Sequence, residues 1–153
     1  MIGCGASQDD APRITIGGVE LVAPTDWQAS DLGGTVRQWT PPDNGRKESL
    51  TVIVGPTFLG TSEHALDRVR VAQGVLHDEH MVASTPLVTR AGLVGTWFDV
   101  TFAPDSAPGR LYHRSHVVVV AGDHLVHVLY TALDPEPSRA VLRGVVNSLQ
   151  QGG

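Results

Sequence analysis

The stretch Arg110 to Ala132, RLYHRSHVVVVAGDHLVHVLYTA, constrains this chain more than any other. Val117 to Val120 is an unbroken β-branched run, and Leu125 to Leu129 is nearly as apolar. Gly122-Asp123 stands between them, and a glycine-led dipeptide between two such runs is a short-hairpin signal. The runs are apolar on both faces. The strand pair is therefore expected to be covered on both sides, inside a sheet and not at its edge.

The rest of the chain supplies partners for that hairpin. Arg13 to Ala23 alternates around Gly17-Gly18, which predicts a small hairpin, ended by Pro24-Thr25-Asp26-Trp27. Trp27 is expected at the core rim, and Ser30 to Gly34 as a turn. Strands are predicted over Thr35 to Thr40 and Glu48 to Val54, separated by Pro41-Pro42-Asp43-Asn44-Gly45. In the second of these, Leu50, Val52 and Val54 share one face, and Thr51 and Ile53 the other. Met81 to Thr89 reads as a strand that Pro86 confines to an edge or a bulge. Leu93 to Phe102 follows, with Phe98, Val100 and Phe102 facing one way and Trp97, Asp99 and Thr101 the other. Two helices complete the pattern. One runs from Glu63 to about Leu76, capped by Ser62. The other opens at Asp134-Pro135-Glu136-Pro137 and carries Val141, Leu142, Val145, Val146 and Leu149 as a stripe. The expected class is α+β: an antiparallel sheet of about six or more strands flanked by two main helices.

Length and charge narrow the function. The 153 residues make one domain, placed over 13–150, after a flexible tether over 1–12. A formal net charge of -5 gives no basic face for nucleic acid. One cysteine excludes an internal disulfide framework. That residue, Cys4, stands in Ile2-Gly3-Cys4-Gly5-Ala6-Ser7-Gln8-Asp9-Asp10, which is similar to the end of a bacterial lipobox and its tether. The charged and apolar regions of a signal peptide do not precede it in these residues. The similarity implies lipidation at Cys4 and a lipid anchor, without a membrane-spanning helix, on the extracytoplasmic side.

Histidine is the one enriched reactive type, with seven residues. His113-x-x-His116 and His124-x-x-His127 have the look of metal-ligand pairs, but strand residues three apart point to opposite faces. Across the Gly122-Asp123 turn, His116 and His127 share a face, and Asp99 on a neighbouring strand is the third candidate ligand. Zinc needs at least three such ligands with outer support, so the expectation is no metal, with ordinary hydrogen-bonded histidines instead. Ser115 lacks the flanking glycines of a nucleophile elbow and reads as a strand serine. No catalytic residue and no cofactor is expected. Arg110 and Arg114, flanking Tyr112, are expected to pair with acids at the sheet rim. Trp39, Ile53, Trp97, Leu125 and Leu129 are the apolar residues expected on the less covered face, where they would line a binding groove or lie as core under a helix.

The order of elements resembles the PsbP-like superfamily, which includes the Ran-binding Mog proteins, the DcrB and LpqN lipoprotein groups and the Eag chaperones of type VI secretion. The matching stretches run from Arg13 to Leu149. They are Val22-Ala23-Pro24-Thr25-Asp26-Trp27, Ser49-Leu50-Thr51-Val52, Gly92-Leu93-Val94-Gly95, the long hairpin, and the final Asn147-Ser148-Leu149. The resemblance implies a non-catalytic cell-envelope lipoprotein that binds an unidentified protein partner or a small apolar ligand. Its alternative is a cytoplasmic Eag-like chaperone for a secreted effector, which would have no use for Cys4.

Overall fold

The computed structural model describes residues 12–56, 80–104 and 109–152. Two antiparallel sheets carry the fold. The smaller holds β1 (Ile14–Ile16), β2 (Val19–Leu21) and β10 (Gln150–Gln151), in the order β1-β2-β10. The larger has seven strands: β3 (Gln28–Asp31), β4 (Val36–Thr40), β5 (Ser49–Pro56), β6 (His80–Val88), β7 (Val94–Phe102), β8 (Tyr112–Ala121) and β9 (His124–Leu133). Its order is β3-β4-β5-β9-β8-β7-β6. Among the described residues there is one helix, α1 (Ala140–Ser148). The molecule is mostly β, and the expected helix over Glu63 to Leu76 lies outside the described residues. Of the two expected flanking helices, α1 is the one that the described residues contain.

The long hairpin is the centre of the large sheet. β8 and β9 pair without a break from Tyr112↔Leu133 to Ala121↔His124, and each has a second strand on its other side. Gly122, at φ 62, occupies the first position of the two-residue turn, where a β-carbon would be strained. The Gly17-Gly18 hairpin forms as expected, with Ile16↔Val19 closing it. β6 is an edge strand, and its register slips between Met81 and Ala83. Pro86 therefore interrupts no interior ladder.

Three boundaries differ from the sequence reading. Gln28–Asp31, all exposed, is an edge strand and not the start of a turn. It pairs with β4 through Ala29↔Trp39, and an outer strand with water on both sides needs no apolar alternation. At the other end, β10 docks on β2, and the Gly152 amide donates to the Gly18 carbonyl at 2.9 Å. The last helix starts at Ala140, after the prolines, without a side-chain cap from Asp134. Pro135 and Pro137 push the residues before them out of helical geometry and delay the start.

The core lies between one face of the large sheet, α1 and the small sheet. Leu50, Val52 and Val54 from β5, Val117, Val119 and Ala121 from β8, and Val126, Val128 and Tyr130 from β9 meet Leu142, Val145, Val146 and Leu149, with Ile16, Val19 and Leu21 alongside. Trp27 packs at the rim as expected. Val141 departs from the predicted stripe and is exposed. Ser148 latches the helix end: its Oγ donates to the Val145 carbonyl at 2.7 Å and accepts from the Val22 amide at 2.8 Å. On the opposite sheet face a second cluster forms from Phe98 and Val118, with Leu125 packed on it.

Candidate functional site

Strand alternation and register together assign each flagged residue to a face. Trp39 stands opposite Leu50, and Trp97 opposite Val117, so both lie on the helix-covered face. Trp39 is core, and Trp97 packs against the same cluster. Ile53, Leu125 and Leu129 lie on the other face: Ile53 is opposite His127, and Leu129 opposite both Thr51 and His116. The five residues expected to line one groove are thus divided between two faces. Alternation along each strand was read correctly. The pairing of β4 with β5, which puts Trp39 beside Leu50, is a contact between chain segments that no local pattern encodes.

The histidines His116 and His127 do meet. Their rings stack with centroids 5.2 Å apart at 13°, and His116 Nδ1 lies 3.0 Å from His127 Nε2. Both are buried, at 1% and 2% exposure. The two ring nitrogens share a hydrogen bond in which one donates and the other accepts, the roles set by the tautomers. Asp99, the third candidate ligand, is on the opposite face, across from Ser115. Among the described residues no three acidic, histidine or cysteine side chains converge as a metal site.

Asp99 belongs to a different constellation. Its Oδ1 accepts from Trp97 Nε1 at 2.9 Å and from Ser115 Oγ at 2.5 Å, and it pairs with Arg139 Nε at 3.1 Å. Arg139 Nε also reaches Ser115 Oγ at 3.0 Å, and its Nη1 reaches Glu136 Oε1 at 3.0 Å. These bonds tie the lead-in of α1 to β7 and β8. Ser115, fully buried, donates its only proton to Asp99 and is a strut and not a nucleophile. Beside it, Tyr130 Oη donates to Glu48 Oε2 at 2.8 Å. Burial pushes the Tyr130 phenol well above its ordinary value, and the Glu48 hydrogen bond and charge push the same way, against a smaller opposing pull from Arg46 and Arg139. His113 Nε2 contacts Asp134 Oδ1 at 2.7 Å. Arg114 Nε donates to Thr131 Oγ1 at 3.0 Å, and its guanidinium covers the Phe102 ring at 4.3 Å.

The sequence reading missed the most exposed apolar residues. Val88 is 67% exposed and its cross-strand partner Val94 62%. Val94 is one position beyond the Gly95–Val119 pair, towards Val120, and Val120 stands opposite Leu125. Val88, Val94, Val120 and Leu125 therefore form an apolar row across four strands, on the face opposite α1. Val82, 65% exposed, lies further along β6. The signal for this margin was present: from His80 to Val88 the chain has no Asp, Glu, Lys or Arg, although Pro86 marks it as an edge. Edge strands ordinarily carry charge.

No protein-family model and no curated protein matches the sequence. Solved structures do match in shape. The Ran-binding protein Mog1p of Saccharomyces cerevisiae superposes with a TM-score of 0.64 at 11% identity, over 88% of this chain and 90% of its own. LpqN of Mycobacterium tuberculosis, described as involved in cell envelope biogenesis, gives 0.64 at 13% identity, over 88% of this chain and 83% of its own. The cyanobacterial PsbP of Synechocystis gives 0.57 at 16% identity, over 92% and 91%. The chain spans 49% of a longer Bacteroides thetaiotaomicron protein at a TM-score of 0.61. At these identities the likeness is one of fold, and the fold is PsbP-like.

Proposed function

We propose that this chain is a non-catalytic binding domain of the cell envelope, anchored through a lipid on Cys4, that takes a protein partner or a small apolar ligand. One contrast carries the reading. The reactive side chains on the sheet (Asp99, Ser115, His113, His116 and His127) are engaged with one another or with the framework, while apolar side chains stand in water along Val88 and Val94. Exposed apolar margins mark partner or ligand sites. Ile53, Leu125 and Leu129 extend that margin inward on the same face. A fold shared with a Ran-binding protein and with a protein of cell envelope biogenesis supports a binding role in the envelope. The Ile2-Gly3-Cys4 sequence supports the anchor.

The test is expression from the native locus, with intact mass and membrane fractionation. A diacylglyceryl mass on Cys4, and membrane retention lost in Cys4→Ala, is the expected result. A photoreactive residue at position 94 should then crosslink to an envelope partner, and Val88→Asp should abolish that crosslink while leaving stability within about 0.5 kcal/mol. A soluble, unmodified product that copurifies with a co-encoded apolar client would overturn the envelope reading in favour of the cytoplasmic chaperone.

A further inference from the structure

The two sheets have four edges among the described residues, and three of them are short. β1 has three residues, β10 two and β3 four, and β3 ends in Asp31. β6 is nine residues long, and every residue in it but Leu87 is exposed. It contains no Asp, Glu, Lys or Arg. Edge strands are ordinarily blunted by brevity or charge, because an open row of backbone donors and acceptors recruits another strand. We infer that β6 takes an extended, uncharged segment of a protein partner as an added strand of the large sheet.

The direction of its backbone follows from the turn at its end. The Thr89 amide donates to the Leu93 carbonyl at 2.8 Å, so Thr89 turns its backbone towards β7. The same register continues from Val88↔Val94 to Ala83↔Asp99. Backbone groups alternate sides along a strand. Leu87, Thr85 and Ala83 therefore bond to β7, and Val88, Pro86 and Ser84 point their backbone away from the sheet. Pro86 conforms, since a residue with no N–H has nothing to give an interior ladder. Ser84 and Val88 each present a donor and an acceptor to the outside, and Pro86 an acceptor alone. Among the described residues no strand lies beyond them. The slip between Met81 and Ala83 ends the regular row.

The chemistry of the occupant follows from its neighbours. A residue placed opposite Val88 extends the row of Val88, Val94, Val120 and Leu125, so it is apolar. The one charged residue of β7, Asp99, lies on the other face and is held by Trp97, Ser115 and Arg139. A charged side chain on the segment would thus meet no counter-ion from β6 or β7. A second copy of this chain is the poorer occupant. Two β6 strands related by a two-fold axis bring two Pro86 residues into one ladder, so two amides are missing where a foreign segment meets one. The inference rests on the partner-binding reading above and not on the lipid anchor.

The probe is a short acetylated and amidated peptide of alternating valine and threonine, titrated into the isotopically labelled 153-residue chain. In the chain alone, amide exchange should be slow at Thr85 and Leu87 and fast at Ser84 and Val88. The peptide should slow exchange at Ser84 and Val88 in a saturable way, with a Kd on the order of 1 mM. Ser84→Pro removes one outward donor and no bond to β7, so it should weaken binding about tenfold at an unchanged melting temperature. Val88→Lys, which puts a charge on the edge, should weaken it as well. Fast exchange at Thr85 and Leu87, no slowing by the peptide, or equal affinity in Ser84→Pro and Val88→Lys overturns the inference. So does a dimer in equilibrium sedimentation that Ser84→Pro dissolves, which would assign the edge to a second copy. The crosslink from position 94 separates this inference from the wider reading. A crosslink undiminished in Ser84→Pro shows a partner docked on the face with no added strand, and overturns the strand addition alone. Saturable peptide protection without any crosslink supports the open edge and overturns the envelope-partner reading.

Discussion

Gly95 stands on β7 where a β-carbon would lie 2.1 Å from the Val118 carbonyl oxygen and 3.0 Å from the Val119 Cα. Those neighbours are backbone of the central strand and cannot swing away. Gly95→Ala is therefore expected to cost about 2–3 kcal/mol, read as a lower urea midpoint at unchanged slope. Gly34→Ala is the control, since an added carbon there meets nothing within 4 Å, and it should stay within about 0.5 kcal/mol. Tyr130 makes a prediction in pH. Its phenol titrates higher in the fold than the ordinary value of 10.0, so the unfolded chain loses that proton first. The contribution is fully present below pH 10 and is lost as pH climbs towards the folded value. Tyr130→Phe should flatten the alkaline fall in melting temperature relative to the native chain, and an identical fall in both proteins would show the phenol to be uninvolved.

Among the elements, α1 illustrates how far an apolar stripe can be read. Leu142, Val145, Val146 and Leu149 are buried as the 3.6 period requires, but Val141 is not. A helix meeting the sheet and β2 together buries a particular arc, and Val141 falls outside it. Leu142→Ala should cost about 2–5 kcal/mol in chemical denaturation, and Val141→Ala within about 0.5 kcal/mol. Equal costs would mean that the helix is seated differently. The start of α1 depends on a network as well as on pattern. Arg139 reaches Asp99 and Ser115 on strands that precede it by more than twenty residues, a partnership with no signature in the sequence around Arg139. At the opposite margin, Pro86 confined the uncharged β6 to an edge or a bulge, and it is an edge. That its valines stand in water could not be recognised in the same way, because burial depends on which strands lie beside it.

The whole molecule folds around pairings distant in the chain. β5 pairs with β9 from Ser49↔Thr131 to Pro56↔His124, and β10 closes on β2 near the other terminus. Loop closure on this scale must precede most of the stabilising contacts, so refolding is expected in milliseconds to seconds. Stopped-flow tryptophan fluorescence would measure it, and a microsecond phase carrying the full amplitude would contradict this topology. The same distinction separates what the sequence by itself determined from what the tertiary structure decided. Period-2 alternation, the Gly122-Asp123 and Gly17-Gly18 turns and the edge-marking Pro86 are local. They determined the antiparallel sheet, its central hairpin and the face of each residue within its own strand. The contact of His116 with His127 was legible for the same reason, since one short turn sets their register. The division of Trp39 and Trp97 from Ile53, Leu125 and Leu129, and the binding of Asp99 to Arg139 in place of histidine, belong to the tertiary structure alone. Each depends on register and packing between segments far apart in the chain, and side-chain period carries no information about which strand lies next to which.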